Sequence, residues 1–325
     1  VRIVVSVHDP PVWSIPPAVV DRLRESLPRD EVVDARTQEE RRHAFPSADV
    51  LIATRITAEE FAVAPSVRWI HTTAVGTGGL LPRPLVDSDV VVTNTRGVHS
   101  ESIAEHAIAL ALAVRRRIPE AAAAQADRSW IQLELLAREV PLLADTCMLV
   151  IGLGTIGMRV AELAAGLGMR VLGIRRRADQ PKPAAVSEVA GSERLRDWLP
   201  RADVVVLAAP QTDETRALLG EAEFALLRRS AVLVNVARGG LVDEKALERA
   251  ATSGTIAGAG LDAFVREPLA PESPLWKLPN VLITPHSASF RGDYWGPVMD
   301  LFRDNLERFR SGKPLLNVVD KVNRY

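Results

Sequence analysis

A chain of 325 residues, 47% hydrophobic and 25% charged, has apolar material for a large core, and its length favours two domains over one. Its 40 Lys and Arg nearly cancel 41 Asp and Glu, which excludes a global basic field for nucleic acid or an anionic membrane. Cys147 is the only cysteine, which excludes an intramolecular disulfide framework and a cysteine-rich zinc site and fits a reducing cytoplasm.

The N-terminal VRIVVSVHDPP has no basic leader, and no apolar run reaches eighteen residues, so neither secretion nor membrane insertion is expected. Over the first 95 residues RIVVSV, PPAVVDRLRESL, DVLIAT, TAEEFAVA, VRWIHTT and DVVVTNT alternate β-branched runs with helical ones. That alternation predicts a small α/β domain with a parallel sheet. Residues 100 to 117, SESIAEHAIALALAVRRR, predict a helix with a Ser start and a basic end, apolar on more than one face and therefore buried. Residues 118 to 140 read as helical and irregular, with Trp130 in RSWIQ. A second series, TCMLVIG, MRVLGI, ADVVVLAAP, AVLVNVA, TIAGAGLDAF and NVLITPH, predicts a larger parallel sheet, with Cys147 as a small core residue. The last segment spaces Val298, Leu301, Phe302, Leu306 and Phe309 at helical intervals and is expected to pack back on the first domain. The expected layout is residues 1–97 plus 288–325 as one discontinuous flavodoxin-like domain and 98–287 as a Rossmann domain.

Gly152, Gly154 and Gly157 form G-x-G-x-x-G between the strand MLVIG and the helix TIGMRVAELAAGLG, which Gly168 terminates. Gly152 permits the tight turn, Gly154 the approach of a pyrophosphate, and Gly157 close packing of helix on strand; the helix N-terminus favours the anion. At the end of the next strand an acidic side chain ordinarily accepts the ribose hydroxyls. VLGIRRR has Arg175 there, followed by Arg176 and Arg177. Planar donors suit a 2′-phosphate carrying about −1.5 to −2 charges, so NADP(H) is preferred, with NAD(H) the alternative if the arginines form only a solvated loop.

Three further strands each deliver a distinctive residue past their C-terminal ends, where open α/β sheets bind ligands. These are Arg238 after AVLVNVA, Glu267 in VREP and His286 in TPHSAS. Together they suit a 2-oxo acid: Arg238 binds the carboxylate and polarises the carbonyl, while His286 donates a proton as hydride arrives. Glu267, if within hydrogen-bond reach of the imidazole, would orient it and favour its charged form. His99 and His106 flank the expected buried helix, and His8, His43 and His71 show no ligand spacing among themselves or with Cys147; all five read as structural, so no metal is assigned.

The segments IGLGTIG, NVARGGLVDE, LDAFVREP and SPLWKLPNVLITPH, in this order, resemble the D-isomer-specific 2-hydroxyacid dehydrogenase family over roughly residues 70 to 320. The resemblance implies a cofactor domain inserted in a substrate domain, an active site in the cleft, and a homodimer. It matches Arg238, Glu267 and His286 to the catalytic residues, Asp262 to the nicotinamide-carboxamide contact, Pro210 to the strand-end proline, and Val75 and Gly76 to the substrate-binding backbone turn. Thr155, Ile156, Ala209, Thr215 and Ala237 complete the expected cofactor contacts. Two departures stand out: Arg175 replaces the usual acid, as in NADP-using glyoxylate/hydroxypyruvate reductases, and Gly78 and Gly79 follow the substrate turn where Asp and a polar residue are common. The expected function is NADPH-preferring reduction of a small 2-oxo acid in the cytoplasm. The alternatives are an NAD-linked dehydrogenase and a nicotinamide-sensing regulatory protein on the same fold. Trp130 is expected to line the partner subunit's substrate pocket or to fill the dimer contact.

Overall fold

The computed structural model describes residues 1–8, 14–77, 80–137 and 140–321. The chain divides into two compact units, Val1–Val98 with Arg291–Tyr325, and His99–Phe290. Each is built on a sheet whose named strands pair in parallel, the α/β class that the alternating pattern implies.

In the first unit the strands are β1 (Arg2–Ser6), β2 (Glu31–Asp34), β3 (Val50–Ala53), β4 (Trp69–Thr72) and β5 (Val91–Thr93), in the order β2-β1-β3-β4-β5. β3 and β4 are buried at every position, as strands covered on both faces must be. The terminal helix Trp295–Arg310 returns to one face, where Val298, Phe302 and Leu306 pack with Ile3, Val5 and Val20, and Phe302 stacks on Trp69. The other face is filled by Phe45, Leu51, Ile70 and Leu85.

Among the described residues the second unit has seven strands: β6 (Cys147–Ile151), β7 (Arg170–Ile174), β8 (Glu188–Ala190), β9 (Val204–Leu207), β10 (Val232–Asn235), β11 (Gly258–Leu261) and β12 (Val281–Ile283). Their order is β12-β11-β10-β9-β6-β7-β8, so the chain reverses direction across the sheet between β6 and β9. That reversal opens a crevice at the strand C-termini, the usual ligand position in such sheets. The helix Ser100–Arg115 lies against β10, β11 and β12 and against the helix Thr155–Gly166. Its small and aliphatic face, Ala104, Ala107, Leu110, Ala111 and Val114, is buried there, and Gly260 leaves room for Leu110. Cys147 is half-buried at the start of β6, where desolvation raises its thiol pKa.

β2 and β8 were not anticipated from the sequence. Both are short edge strands without a continuous apolar run, so their period is weak. Among the described residues no helix is long and apolar enough to cross a membrane.

Candidate active site

β6 ends at Ile151 and the helix Thr155–Gly166 begins four residues on, so the chain turns within 152–154. Gly152 has φ of +100°, which a side chain rarely adopts, and a Cβ there would stand 2.5 Å from the Ala209 nitrogen. At Gly157 a Cβ would stand 1.9 Å from the Gly152 carbonyl oxygen, so the helix packs on the turn only without a side chain. Gly154 differs: nothing lies within 4 Å of where its Cβ would be. The open space adjoins the first helical turn, where Thr155, Ile156 and Gly157 present amides with no intrahelical acceptor and no acidic side chain intervenes. These residues fit a pyrophosphate, which the amides and the helix dipole would hold.

Around the turn, several expected cofactor contacts have partners within the chain. The Thr215 hydroxyl donates to the Pro210 carbonyl at 2.7 Å and accepts the Thr212 N–H at 2.8 Å, closing the loop that follows Ala209. Arg175 is the first residue past β7, half-buried, with its N–H on the Ala190 carbonyl at 3.0 Å. Its Nη2 donates to the carbonyls of Gln180 and Pro181, and its buried Nε has no partner. Arg176 and Arg177 are exposed.

Arg238, Glu267 and His286 come from β10, β11 and β12, which are adjacent and in register: Asn235 pairs with Leu261 and Leu261 with Ile283. The three chains therefore leave the sheet at one level. Past β10, the buried Asn235 accepts the Ala237 N–H at 3.0 Å and donates to the Arg238 carbonyl at 3.0 Å, fixing the arginine's backbone. A Cβ on Gly239 would stand 1.9 Å from the Phe264 carbonyl carbon, so this turn lies directly on the segment leading to Glu267. The Arg238 side chain reaches the surface, but the surrounding protein desolvates it and lowers its pKa while Glu267 opposes the shift. A guanidinium starts so high that it stays charged.

Glu267 accepts the Phe264 N–H at 2.9 Å on Oε1, and its Oε2 lies 2.7 Å from His286 Nδ1. Burial pushes the Glu267 carboxyl up, but the His286 and Phe264 hydrogen bonds and the charges of His286 and Arg238 outweigh it and hold its pKa below the ordinary value. An ionised carboxylate only accepts, so Nδ1 carries a proton and Nε2 is left for the substrate. Glu244 braces the same loop, its Oε1 accepting the Val265 N–H at 2.7 Å.

His286 sits at φ of +52°, a left-handed conformation that costs a non-glycine residue roughly 1–2 kcal/mol. Its N–H closes onto the Thr284 carbonyl at 3.0 Å. Asp262, 2% exposed, grips the other side of this turn: Oδ1 accepts the Thr284 hydroxyl at 2.6 Å and the Ser287 N–H at 2.9 Å, and Oδ2 the Ala288 N–H at 3.0 Å. The side chain matched to the carboxamide contact is thus engaged by its own chain. Above it, His106 Nε2 lies 2.9 Å from Thr284 Oγ1 and 3.5 Å from Asp262 Oδ1.

Asn235, Glu244, Thr284 and His106 were missed from the sequence. An Asn closing the apolar VLVN was a usable signal, whereas His106, read as structural, carried none.

Val75 and Gly76 belong to the first unit and are half-buried, with the Val75 carbonyl accepting from Asn94 Nδ2 at 2.8 Å. Gly78 and Gly79 lie outside the described residues. Trp130 is 86% exposed.

A parallel sheet that offers an open glycine turn to a pyrophosphate and aligns a hydrogen-bonded acid–base pair beside an arginine defines a nicotinamide-dependent oxidoreductase. Residues 108–288 match the family described as D-isomer specific 2-hydroxyacid dehydrogenase, NAD binding domain. The chain is 36% identical to a glyoxylate reductase of Korarchaeum cryptofilum, over 83% of this chain and 81% of the relative. A D-isomer specific 2-hydroxyacid dehydrogenase from Xanthobacter autotrophicus Py2, solved with NADPH and MES, superposes with a TM-score of 0.85 at 31% identity, covering 99% of both chains. The NADPH-dependent glyoxylate/hydroxypyruvate reductase of Sinorhizobium meliloti, solved with NADP and sulfate, gives 0.85 at 27% identity, covering 100% of this chain and 99% of that one. The chain belongs to the D-isomer specific 2-hydroxyacid dehydrogenase family and is an NAD(P)-dependent oxidoreductase.

Proposed function

We propose that the protein reduces a small 2-oxo acid to the D-2-hydroxy acid, with NADPH preferred, as a cytoplasmic homodimer. The observation that carries this reading is the 2.7 Å contact of His286 with Glu267, on adjacent in-register strand ends with Arg238. Arg238 binds the substrate carboxylate and polarises the carbonyl. His286, oriented by Glu267, gives its Nε2 proton to the carbonyl oxygen as the C–O bond becomes an alcohol, and regains a proton from solvent. When bound, the reduced nicotinamide supplies the hydride to the carbonyl carbon. Val75 and Gly76 offer backbone N–H groups to the substrate, and residues 152–157 hold the pyrophosphate. Arg175 and Arg176 take the 2′-phosphate, supported by the NADP(H)-bound relatives. The named relatives favour glyoxylate and hydroxypyruvate as substrates.

One observation favours the NAD-linked alternative: Arg175 already donates to the carbonyls of Gln180 and Pro181, so its guanidinium must turn to meet a phosphate. The homodimer is supported by the exposed apolar side chains Ile118, Trp130, Leu133, Leu136 and Leu142 along one segment, which a second copy would cover.

The test is a panel of glyoxylate, hydroxypyruvate, pyruvate and phenylpyruvate with NADPH and with NADH, followed at the nicotinamide absorbance. Turnover with NADPH, reduced roughly 10²-fold in His286→Ala with cofactor binding retained, is the expected result. Absence of turnover on every acid with either cofactor would overturn the enzymatic reading in favour of a nicotinamide-binding regulator.

A further inference from the structure

The helix Ser100–Arg115 packs beneath β10, β11 and β12, yet it sends one ring toward their catalytic ends. Thr284 has a single hydroxyl proton, and the 2.6 Å contact with the Asp262 carboxylate claims it. At the 2.9 Å contact Thr284 Oγ1 is therefore the acceptor and His106 Nε2–H the donor. The bonds form one directed chain: His106 to Thr284, Thr284 to Asp262, and Asp262 receiving the amides of Ser287 and Ala288. Those amides immediately follow His286, whose φ of +52° is uncommon for a residue with a side chain, so the hold on the residues after it helps to keep it there.

We infer that His106 is a positioning residue for the reaction, locking Thr284 and Asp262 into the arrangement that keeps His286 in its left-handed turn and its Nδ1 on Glu267. His106 touches neither substrate nor cofactor in this role; it removes the rotational freedom of the Thr284 hydroxyl, so that Asp262 keeps its geometry toward both amides. The inference rests on His286 as proton donor for its kinetic consequence, but not for its structural one.

Two replacements separate donation from packing. His106→Leu fills the space without a donor, and His106→Gln places an amide N–H near Nε2. With glyoxylate and NADPH, His106→Leu is expected to lower kcat about tenfold with the KM for NADPH within twofold, and His106→Gln to recover most of the loss. Thr284→Val should show a similar fall, and the Leu/Val double variant roughly the same fall rather than the product of the two, because both cut one chain. Independently of activity, amide hydrogen exchange in a peptide spanning 284–290 should quicken in His106→Leu and return toward wild type in His106→Gln. Equal falls in the Leu and Gln variants, multiplicative losses in the double variant, or unchanged exchange in His106→Leu would each overturn the inference. If exchange responds as expected while His286→Ala retains full turnover, the positioning of the turn stands and the proton-donor assignment fails.

Discussion

His286 Nδ1 lies 2.7 Å from Glu267 Oε2, although 19 residues separate them and each loop is braced by a second carboxylate, Asp262 for the histidine and Glu244 for the glutamate. The acid–base pair is held from both sides, so its geometry does not depend on a substrate to assemble it.

Glu267→Gln tests that pairing. Turnover is expected to fall about 10–10²-fold because the amide no longer holds the protonated ring. Stability carries a pH signature as well. The folded-state pKa of Glu267 is lowered, so its ionised form stabilises the fold fully above the unfolded value of about 4.3, and this contribution disappears as pH falls through the lower folded value. The melting temperature of wild type should exceed that of Glu267→Gln near neutrality, and the gap should close below pH ~4. A gap that widens on acidification would contradict the assignment of charge.

Gly154 and Gly157 should fail in different ways. Gly157→Ala places a methyl 1.9 Å from the Gly152 carbonyl oxygen, so a melting temperature lowered by several degrees is expected. Gly154→Ala meets nothing within 4 Å, so the fold should survive while the methyl obstructs the pyrophosphate. Cofactor affinity, read by fluorescence quenching, should drop at least tenfold with little change in melting temperature. Unchanged affinity would remove this turn from the cofactor site.

Arg175→Asp should move preference from NADPH toward NADH, since it removes a charge-assisted contact worth roughly 1.5–3 kcal/mol and supplies a ribose acceptor. Its loss for NADPH should exceed that of Arg175→Ala, because the new carboxylate repels the phosphate. In wild type the KM for NADPH should rise more steeply with ionic strength than that for NADH. Equal use of both cofactors, with a ratio unmoved by Arg175→Asp, would leave the arginine as a brace for Gln180 and Pro181 alone.

The exposed segment bearing Trp130 predicts a change in assembly. Leu133→Glu with Leu136→Glu should convert a dimer to monomer in sedimentation velocity, since charges replace apolar contact area. Trp130→Ala should shift preference among 2-oxo acids if the indole reaches the partner's pocket, and only weaken association if it fills the contact. A wild-type monomer at micromolar concentration would exclude both outcomes.

Much of the fold follows from local signals. The β-branched runs of β1, β3, β4, β6, β9 and β10 are nearly fully buried, and continuous apolar stretches between helices admit little else. Gly152 and Gly157 were legible for the same reason: a turn and a close approach constrain residue type directly. β2 and β8 were not, because a half-solvated edge imposes no sharp pattern.

Sequence by itself determined the parallel α/β character, the glycine turn, and the presence of an Arg, a Glu and a His just past three strand ends. Only the tertiary structure decided that those three strands are neighbours in register, that Arg175 is turned onto its own loop, that Asp262 holds the amides after His286, and that His106 meets Thr284. Local propensities act over a few residues, whereas the strand pairings and the Asp262 and His106 contacts join positions 22 to 178 residues apart. The order in which strands enter the sheet brings them together, and a lone histidine on an apolar helix bears no mark of the partners it will meet.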